Sequence, residues 1–306
     1  MSFCEVWGKR EASPPQLNLR LAGSDFSFPL LSFERALEIL NLLELPAVDV
    51  CLFEGHKHLN PSVELSKPEL HGKRLLSKVE SMGLEVADVF LVAATDRTTL
   101  APNNPSGVDN QTSREIFRRG LDFLSAAGAS HLTQLPGVVF PELGAERSFD
   151  RSVIELAWRA DTASKQGIVF AVEPHAGSII ETPEAALRLA KTAGKLTFTL
   201  DYTHFTRAGF TDDEIEPLLE YASHFHIRGA HTGRLQAPFK SNRIDYARAL
   251  KKLASLGYGG YHAIEYVWID WESCNECDNL SEIVLFRDYL KSLFPTATQT
   301  QVKDPL

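Results

Sequence analysis

Short apolar runs alternate along the chain with longer segments in which apolar residues recur every three or four positions. That is the pattern of strands and amphipathic helices in parallel βαβ units. The apolar runs predict eight strands, near residues 17–22, 47–53, 84–93, 129–135, 168–173, 196–200, 223–228 and 260–266. The periodic segments predict helices near 33–44, 65–82, 110–127, 148–166, 182–193, 212–222, 243–256 and 279–293. Thr182 stands before a proline that would open a first turn, and Thr211 is followed three positions later by Glu214, a capping-box spacing. Gly83, Gly128, Gly194 and Gly257 fall where helices should stop.

Eight strand and helix pairs in strict alternation suggest an α/β fold closed into a (β/α)8 TIM barrel more than an open doubly wound sheet, and no glycine-rich nucleotide fingerprint follows any strand. A chain of 306 residues suits one such domain over residues 1–306, with 1–16 and 295–306 as peripheral tails, the second polar and expected to be mobile. Longer polar stretches, Glu54 to Lys67, Ala94 to Asn110, Pro136 to Ser148 and Gly229 to Arg243, would all fall on the C-terminal face, where barrel enzymes place their sites.

A formal net charge of −9 gives no general attraction for phosphate backbones or anionic lipid. The first twenty residues lack the apolar core of a secretory signal, and no apolar stretch is long enough to span a membrane, so a soluble, cytoplasmic protein is expected. Cys4, Cys51, Cys274 and Cys277 are too scattered for a disulfide framework. Cys274 and Cys277 have CxxC spacing, but without a second pair or matching histidines reduced thiols are the simpler reading.

Four groups that can bind a metal end four successive predicted strands: Glu173 in Phe-Ala-Val-Glu-Pro-His, Asp201 in Thr-Leu-Asp-Tyr-Thr-His, His226 in His-Phe-His-Ile-Arg and Glu265 in Ala-Ile-Glu-Tyr. One charged residue at a strand end commonly caps a helix or makes a surface pair. Four in a row after apolar runs are harder to explain that way, because a buried acid costs several kcal/mol unless paired or metal-bound. Three carboxylates and an imidazole suit a six-coordinate divalent ion such as Mn2+ or Mg2+, with positions left for substrate oxygens.

The segment from Gly167 to Trp268, carrying VEPH, LDYTH, HFHIRG and GYGGYHAIE, resembles the second half of the xylose isomerase-like TIM-barrel superfamily. That superfamily includes ketose 3-epimerases, sugar and inosose isomerases or dehydratases, and endonuclease IV. The resemblance implies Mn2+ or a similar ion, with Co2+ or Zn2+ as alternatives, on Glu173, Asp201, His226 and Glu265, and a substrate contact at His204. Two positions depart from the epimerase pattern: Ile179 replaces a second glutamate and Thr232 an arginine. The endonuclease branch needs more metal ligands and a DNA-binding surface, which the net charge opposes.

Strand alternation places His224 and Arg228 on the same side as His226, and His175 with Glu173. Arg228 is then a candidate clamp for a substrate oxygen, and His224 reads equally well as a hydrogen-bonded core histidine. Glu54, His56 and His58 would line the mouth if their segment stays extended. Trp268 and Trp271 could wall a sugar face or pack under the last helix. The expected chemistry is proton transfer beside a carbonyl of a sugar or polyol, with Glu173 and Glu265 as base and acid. A lyase or deglycosylating enzyme using His175 or His204, and a non-catalytic sugar-binding or partner subunit, are the rival expectations. No phosphate cradle follows the last two strands, which favours a non-phosphorylated substrate. Barrels of this kind are often homo-oligomers, but no sequence feature fixes a subunit number.

Overall fold

The computed structural model describes residues 19–294. The tails expected at 1–16 and 295–306, with Cys4, lie outside the described residues. In chain order the strands are β1 (Leu21–Ser24), β2 (Ala47–Phe53), β3 (Glu85–Val92), β4 (His131–Gln134), β5 (Val169–Val172), β6 (Thr197–Asp201), β7 (Ala222–Ile227), β8 (Gly229–His231), β9 (Arg234–Ala237) and β10 (His262–Ile264). The helices are α1 (Phe33–Leu42), α2 (Pro61–Glu64), α3 (Pro68–Ser81), α4 (Gly107–Ala126), α5 (Gly144–Ser164), α6 (Pro183–Thr192), α7 (Tyr202–Ala208), α8 (Asp212–Ile215), α9 (Tyr246–Ser255) and α10 (Asn279–Leu293).

Eight strands form a closed barrel in the order β1-β10-β7-β6-β5-β4-β3-β2, every neighbouring pair parallel, while β8 and β9 pair separately as an antiparallel hairpin. The expected (β/α)8 barrel is therefore the observed fold. Between the strands and the outer helices lies one continuous apolar core, in which Phe117, Phe198, Phe225 and Phe286 are each fully buried. Burying side chains of that size supplies the main stabilising contribution of the domain.

The barrel interior is unusually polar for this architecture, whose layers are commonly branched apolar residues. Thr133 meets Thr199 at 2.5 Å, His131 bridges Asp88 (2.6 Å) and Ser223 (2.8 Å), and His224 donates from Nε2 to Asp49 (2.7 Å). Each of these hydrogen bonds satisfies a group whose unpaired burial would be costly.

Helix ends follow the sequence signals. Thr182 caps α6 by accepting the Ala185 amide, and Thr211 and Glu214 form the capping box that opens α8. Gly83, Gly128, Gly194 and Gly257 all adopt positive φ, from 68° to 75°, just past helices. Three expectations are corrected. The first strand begins at Leu21, later than the apolar run at 17–22, of which 17 and 18 lie outside the described residues. The helix expected over 212–222 is one turn of α8 followed by a 3-10 turn (Glu216–Tyr221), because Pro217 supplies no amide to continue the ladder. The polar stretch after β7 contains the β8–β9 hairpin, and α7, for which no helix was expected, starts at Tyr202 directly behind its cap Asp201.

Gly194 has φ +68° and open space where a Cβ would stand. Gly194→Ala should therefore lose about 1–2 kcal/mol from backbone conformation alone, read as a lower denaturant midpoint at unchanged m-value.

Candidate active site

The four strand-end groups converge. Asp201 and His226 are register partners on adjacent strands. Glu173 and Glu265 each stand one residue past a strand, yet their amides continue the ladder, to Gln134 O (3.1 Å) and Ile227 O (3.0 Å). These hydrogen bonds fix the backbone that aims the side chains inward. One donor atom from each of Glu173, Asp201, His226 and Glu265 lies within 4.8 Å of the other three, and all four residues are buried. His226 Nδ1 is the hub, 3.1 Å from Glu173 Oε1 and 3.2 Å from Glu265 Oε2.

The electrostatics show what this cluster lacks. Burial, with Glu265 and Asp201 close by, raises the Glu173 carboxyl to about 7 although His226 draws it down. Burial disfavours an imidazolium at His226, but Glu265, Asp49 and Glu173 overcome it and hold that group well above its ordinary value. The cluster draws protons onto both an acid and a base, so it is short of positive charge. A divalent cation would supply that charge, and carboxylate oxygens with one imidazole nitrogen are ligands for a hard or borderline ion. The donor set thus fits a metal.

Asp201 is held from two sides. Its Oδ1 accepts the Thr203 amide (2.9 Å), capping α7, and its Oδ2 accepts from Arg228 Nη2 (2.7 Å). Arg228 also donates from Nε to Thr203 Oγ1 (3.1 Å), so the expected substrate clamp is spent mainly on orienting Asp201, although it lines the cavity. His204 Nδ1 accepts the Ala176 amide (3.2 Å), which leaves the proton on Nε2, 3.7 Å from Asp201 Oδ2 and 3.9 Å from Glu173 Oε2. Burial and the Arg228 guanidinium push this imidazole well below its usual range, so it is a neutral donor. His175 has the opposite tautomer. Its Nδ1–H donates to Ala176 O (2.8 Å), leaving a lone pair on Nε2, and burial with His204 beside it keeps the ring neutral.

Above the cluster opens a cavity of about 360 Å³, the size of a small-molecule site. Its lining includes Glu173, His175, His204, Arg228 and Glu265, with Trp271 stacked on His175 at 5.0 Å, and an aromatic group in which Phe26 and Phe53 meet His56 edge to face and Phe90 meets Phe53 likewise. His56 and Glu54 line the mouth as expected, although the segment turns instead of staying extended and the Glu54 carboxylate accepts from the Ser62 amide (2.9 Å) and hydroxyl (2.8 Å). His58 does not line it. That turn sends its ring to Asp25 (2.6 Å) and Leu31 O (3.1 Å). Trp268, 37% exposed, also stays outside the cavity wall, and the indole that lines it is Trp271. The two epimerase departures are physical: Ile179 is buried in the apolar core and Thr232 is exposed at the tip of the β8–β9 hairpin.

Sequence reasoning missed Asp49 and Arg97. Asp49 is buried beside His224 and His226, and the signal for it was an acid inside the apolar run Ala-Val-Asp-Val-Cys-Leu-Phe. Arg97 lines the cavity from the β3–α4 loop, its guanidinium 4.9 Å from the Trp271 ring and donating to Ala176 O (2.7 Å). Loop position gave no periodicity to reveal it. Cys274 and Cys277 are buried free thiols, and neither joins a candidate ligand group among the described residues.

The profile of the xylose isomerase-like TIM barrel family matches residues 53–282, and the chain belongs to that family. No curated protein matches significantly. Among solved structures, the D-psicose 3-epimerase of Clostridium cellulolyticum H10 with D-tagatose superposes with TM-score 0.68 at 14% identity, covering 90% of this chain and 99% of its own. A family 2 AP endonuclease from Brucella melitensis gives 0.67 at 18%, covering 89% and 99%. A probable 3-DHS dehydratase from Bacillus anthracis gives 0.65 at 11%, again covering 89% and 99%. These TM-scores over nearly the whole of each chain show a shared fold. No helix among the described residues is long and apolar enough to cross a membrane.

Because a metal must displace the proton that Glu173 holds up to about pH 7, apparent Mn2+ affinity should rise about tenfold per pH unit, or more steeply, from pH 5.5 towards 7. Calorimetry in buffers of different ionisation enthalpy would show the released protons. Constant affinity over that range with no proton release would contradict this electrostatic picture.

Proposed function

We propose that this chain is a divalent-metal-dependent isomerase or epimerase of a sugar or sugar-like polyol, moving a proton on a carbon beside a carbonyl. The observation that carries the reading is the convergence of Glu173, Asp201, His226 and Glu265, with their deficit of positive charge, at the floor of a cavity of small-molecule size. These four residues would hold the ion, Mn2+ in our reading, with Mg2+, Co2+ or Zn2+ as alternatives. When bound, the ion supplies Lewis acidity at the substrate carbonyl and its neighbouring hydroxyl.

The remaining work falls to the protein. Glu173 and Glu265 flank His226 Nδ1 and face the same space, so one can take the proton from carbon while the other returns it elsewhere. A carboxyl held near neutrality is suited to exchange a proton in either direction. His204 Nε2–H, neutral and buried, can donate to a substrate oxygen as negative charge develops there. The aromatic group and Trp271 can pack on the less polar face of a sugar and exclude water.

A lyase or dehydratase is the second reading, and one observation favours it: the free Nε2 lone pair of His175 lines the cavity, two residues from Glu173, in a chain without the second glutamate and arginine of the epimerase pattern. The likeness to a probable 3-DHS dehydratase accords with it. In that reading His175 removes the proton and a β-substituent leaves.

The test is turnover of a panel of ketoses, aldoses and keto-polyols by the Mn2+-loaded protein in D2O. Isomerised or epimerised product carrying solvent deuterium is expected, with Glu173→Gln slower by about 10²–10⁴-fold. Chelation should stop turnover and lower the melting temperature. In the lyase reading an unsaturated product appears and His175→Gln loses as much activity as Glu173→Gln. Ligand binding without turnover under Mn2+, Mg2+ and Co2+ would leave a sugar-binding protein and defeat both enzymatic readings.

A further inference from the structure

An imidazole binds a metal through one nitrogen only if its proton stays on the other. His226 is placed so that its two nitrogens see different surroundings. Nδ1 lies among the carboxylates of Glu173 and Glu265 (3.1 and 3.2 Å), while Nε2 points the opposite way, 3.3 Å from Asp49 Oδ2. Asp49 belongs to β2, three strands from β7 around the barrel, so its side chain reaches His226 across the lumen and not along the sheet. Direct hydrogen bonding from His224 Nε2 at 2.7 Å holds the carboxylate there, and His224 shares the inward side of β7 with His226 two residues on. Neither Asp49 nor His224 lines the cavity, and both are buried. The other oxygen of Asp49, Oδ1, and His226 Nε2 are both buried with no hydrogen-bond partner among the described residues, so the carboxylate is anchored by the His224 hydrogen bond and faces His226 Nε2 as a close charge at 3.3 Å.

We propose that Asp49 is a positioning residue: anchored by His224, it keeps the His226 proton on Nε2 and presents Nδ1 to the ion. The proposal rests on the metal-dependent reading above and assigns a role to a residue outside the ligand set. Outer-shell carboxylates that orient a ligating histidine typically contribute 10–100-fold in metal affinity. An amide in their place can donate to the histidine and favour the wrong tautomer.

The experiment is calorimetric titration of the full chain with Mn2+ alone, for wild type and Asp49→Asn, together with 15N resonances of the histidine rings in Mg2+-loaded wild type. Expected are one Mn2+ per chain in wild type, affinity 10–100-fold lower in Asp49→Asn, and the His226 proton on Nε2. The NMR arm does not depend on the variant folding, and a packing role alone would leave the tautomer unspecified. Equal affinity in the two proteins would overturn the proposal while leaving the metal reading standing, as would a His226 proton found on Nδ1. Two ions in wild type with one lost in Asp49→Asn would overturn it by making Asp49 a ligand. Absence of Mn2+ binding by wild type would instead remove the metal reading beneath it.

Discussion

Three carboxylates and an imidazole share one buried point at the rim of this barrel, and water cannot reach them well enough to spread their charge. Burial and the neighbouring carboxylates raise the proton affinity of Glu173, and against burial the same carboxylates raise that of His226. The arrangement persists only because the strands impose it: two of the groups are register partners and the other two are fixed by amides that prolong the ladder. A cluster held in place by the fold and short of positive charge is a preorganised seat for a divalent ion.

The rest of the interior can be understood from that constraint. Below the cluster the lumen is filled with hydrogen-bonded polar side chains where many barrels are apolar, and these pairs stiffen the floor on which the ligands stand. Arg228 pairs with Asp201 Oδ2 at 2.7 Å, leaving the carboxylate oriented but still with free lone pairs. His175 and His204, adjacent and both neutral, differ in which nitrogen bears the proton because each ring uses a different backbone group of Ala176. One residue's carbonyl and amide thereby set up an acceptor and a donor in the same cavity.

Much of this was legible in the sequence, for identifiable reasons. The ends of parallel strands are marked by apolar runs, so the acids and the histidine that follow them could be assigned to one face, and positive-φ glycines marked where the helices stop. The lumen was less legible. Period-two alternation says that Asp49 faces inward, but not that His224 and His226 stand opposite, because that depends on how the sheet closes. Loops carried the least information: His58 and Trp268 turn away from the cavity while Arg97 and Trp271 enter it, and nothing in their spacing separates the two pairs. Helix α7 escaped notice because its cap, Asp201, stood out first as a candidate ligand.

The most direct test of the central claim is anomalous diffraction from crystals soaked in Mn2+. The account predicts a single strong peak at bonding distance from Glu173, Asp201, Glu265 and Nδ1 of His226. A peak elsewhere, or these four side chains unchanged and without density between them at saturating Mn2+, would contradict it.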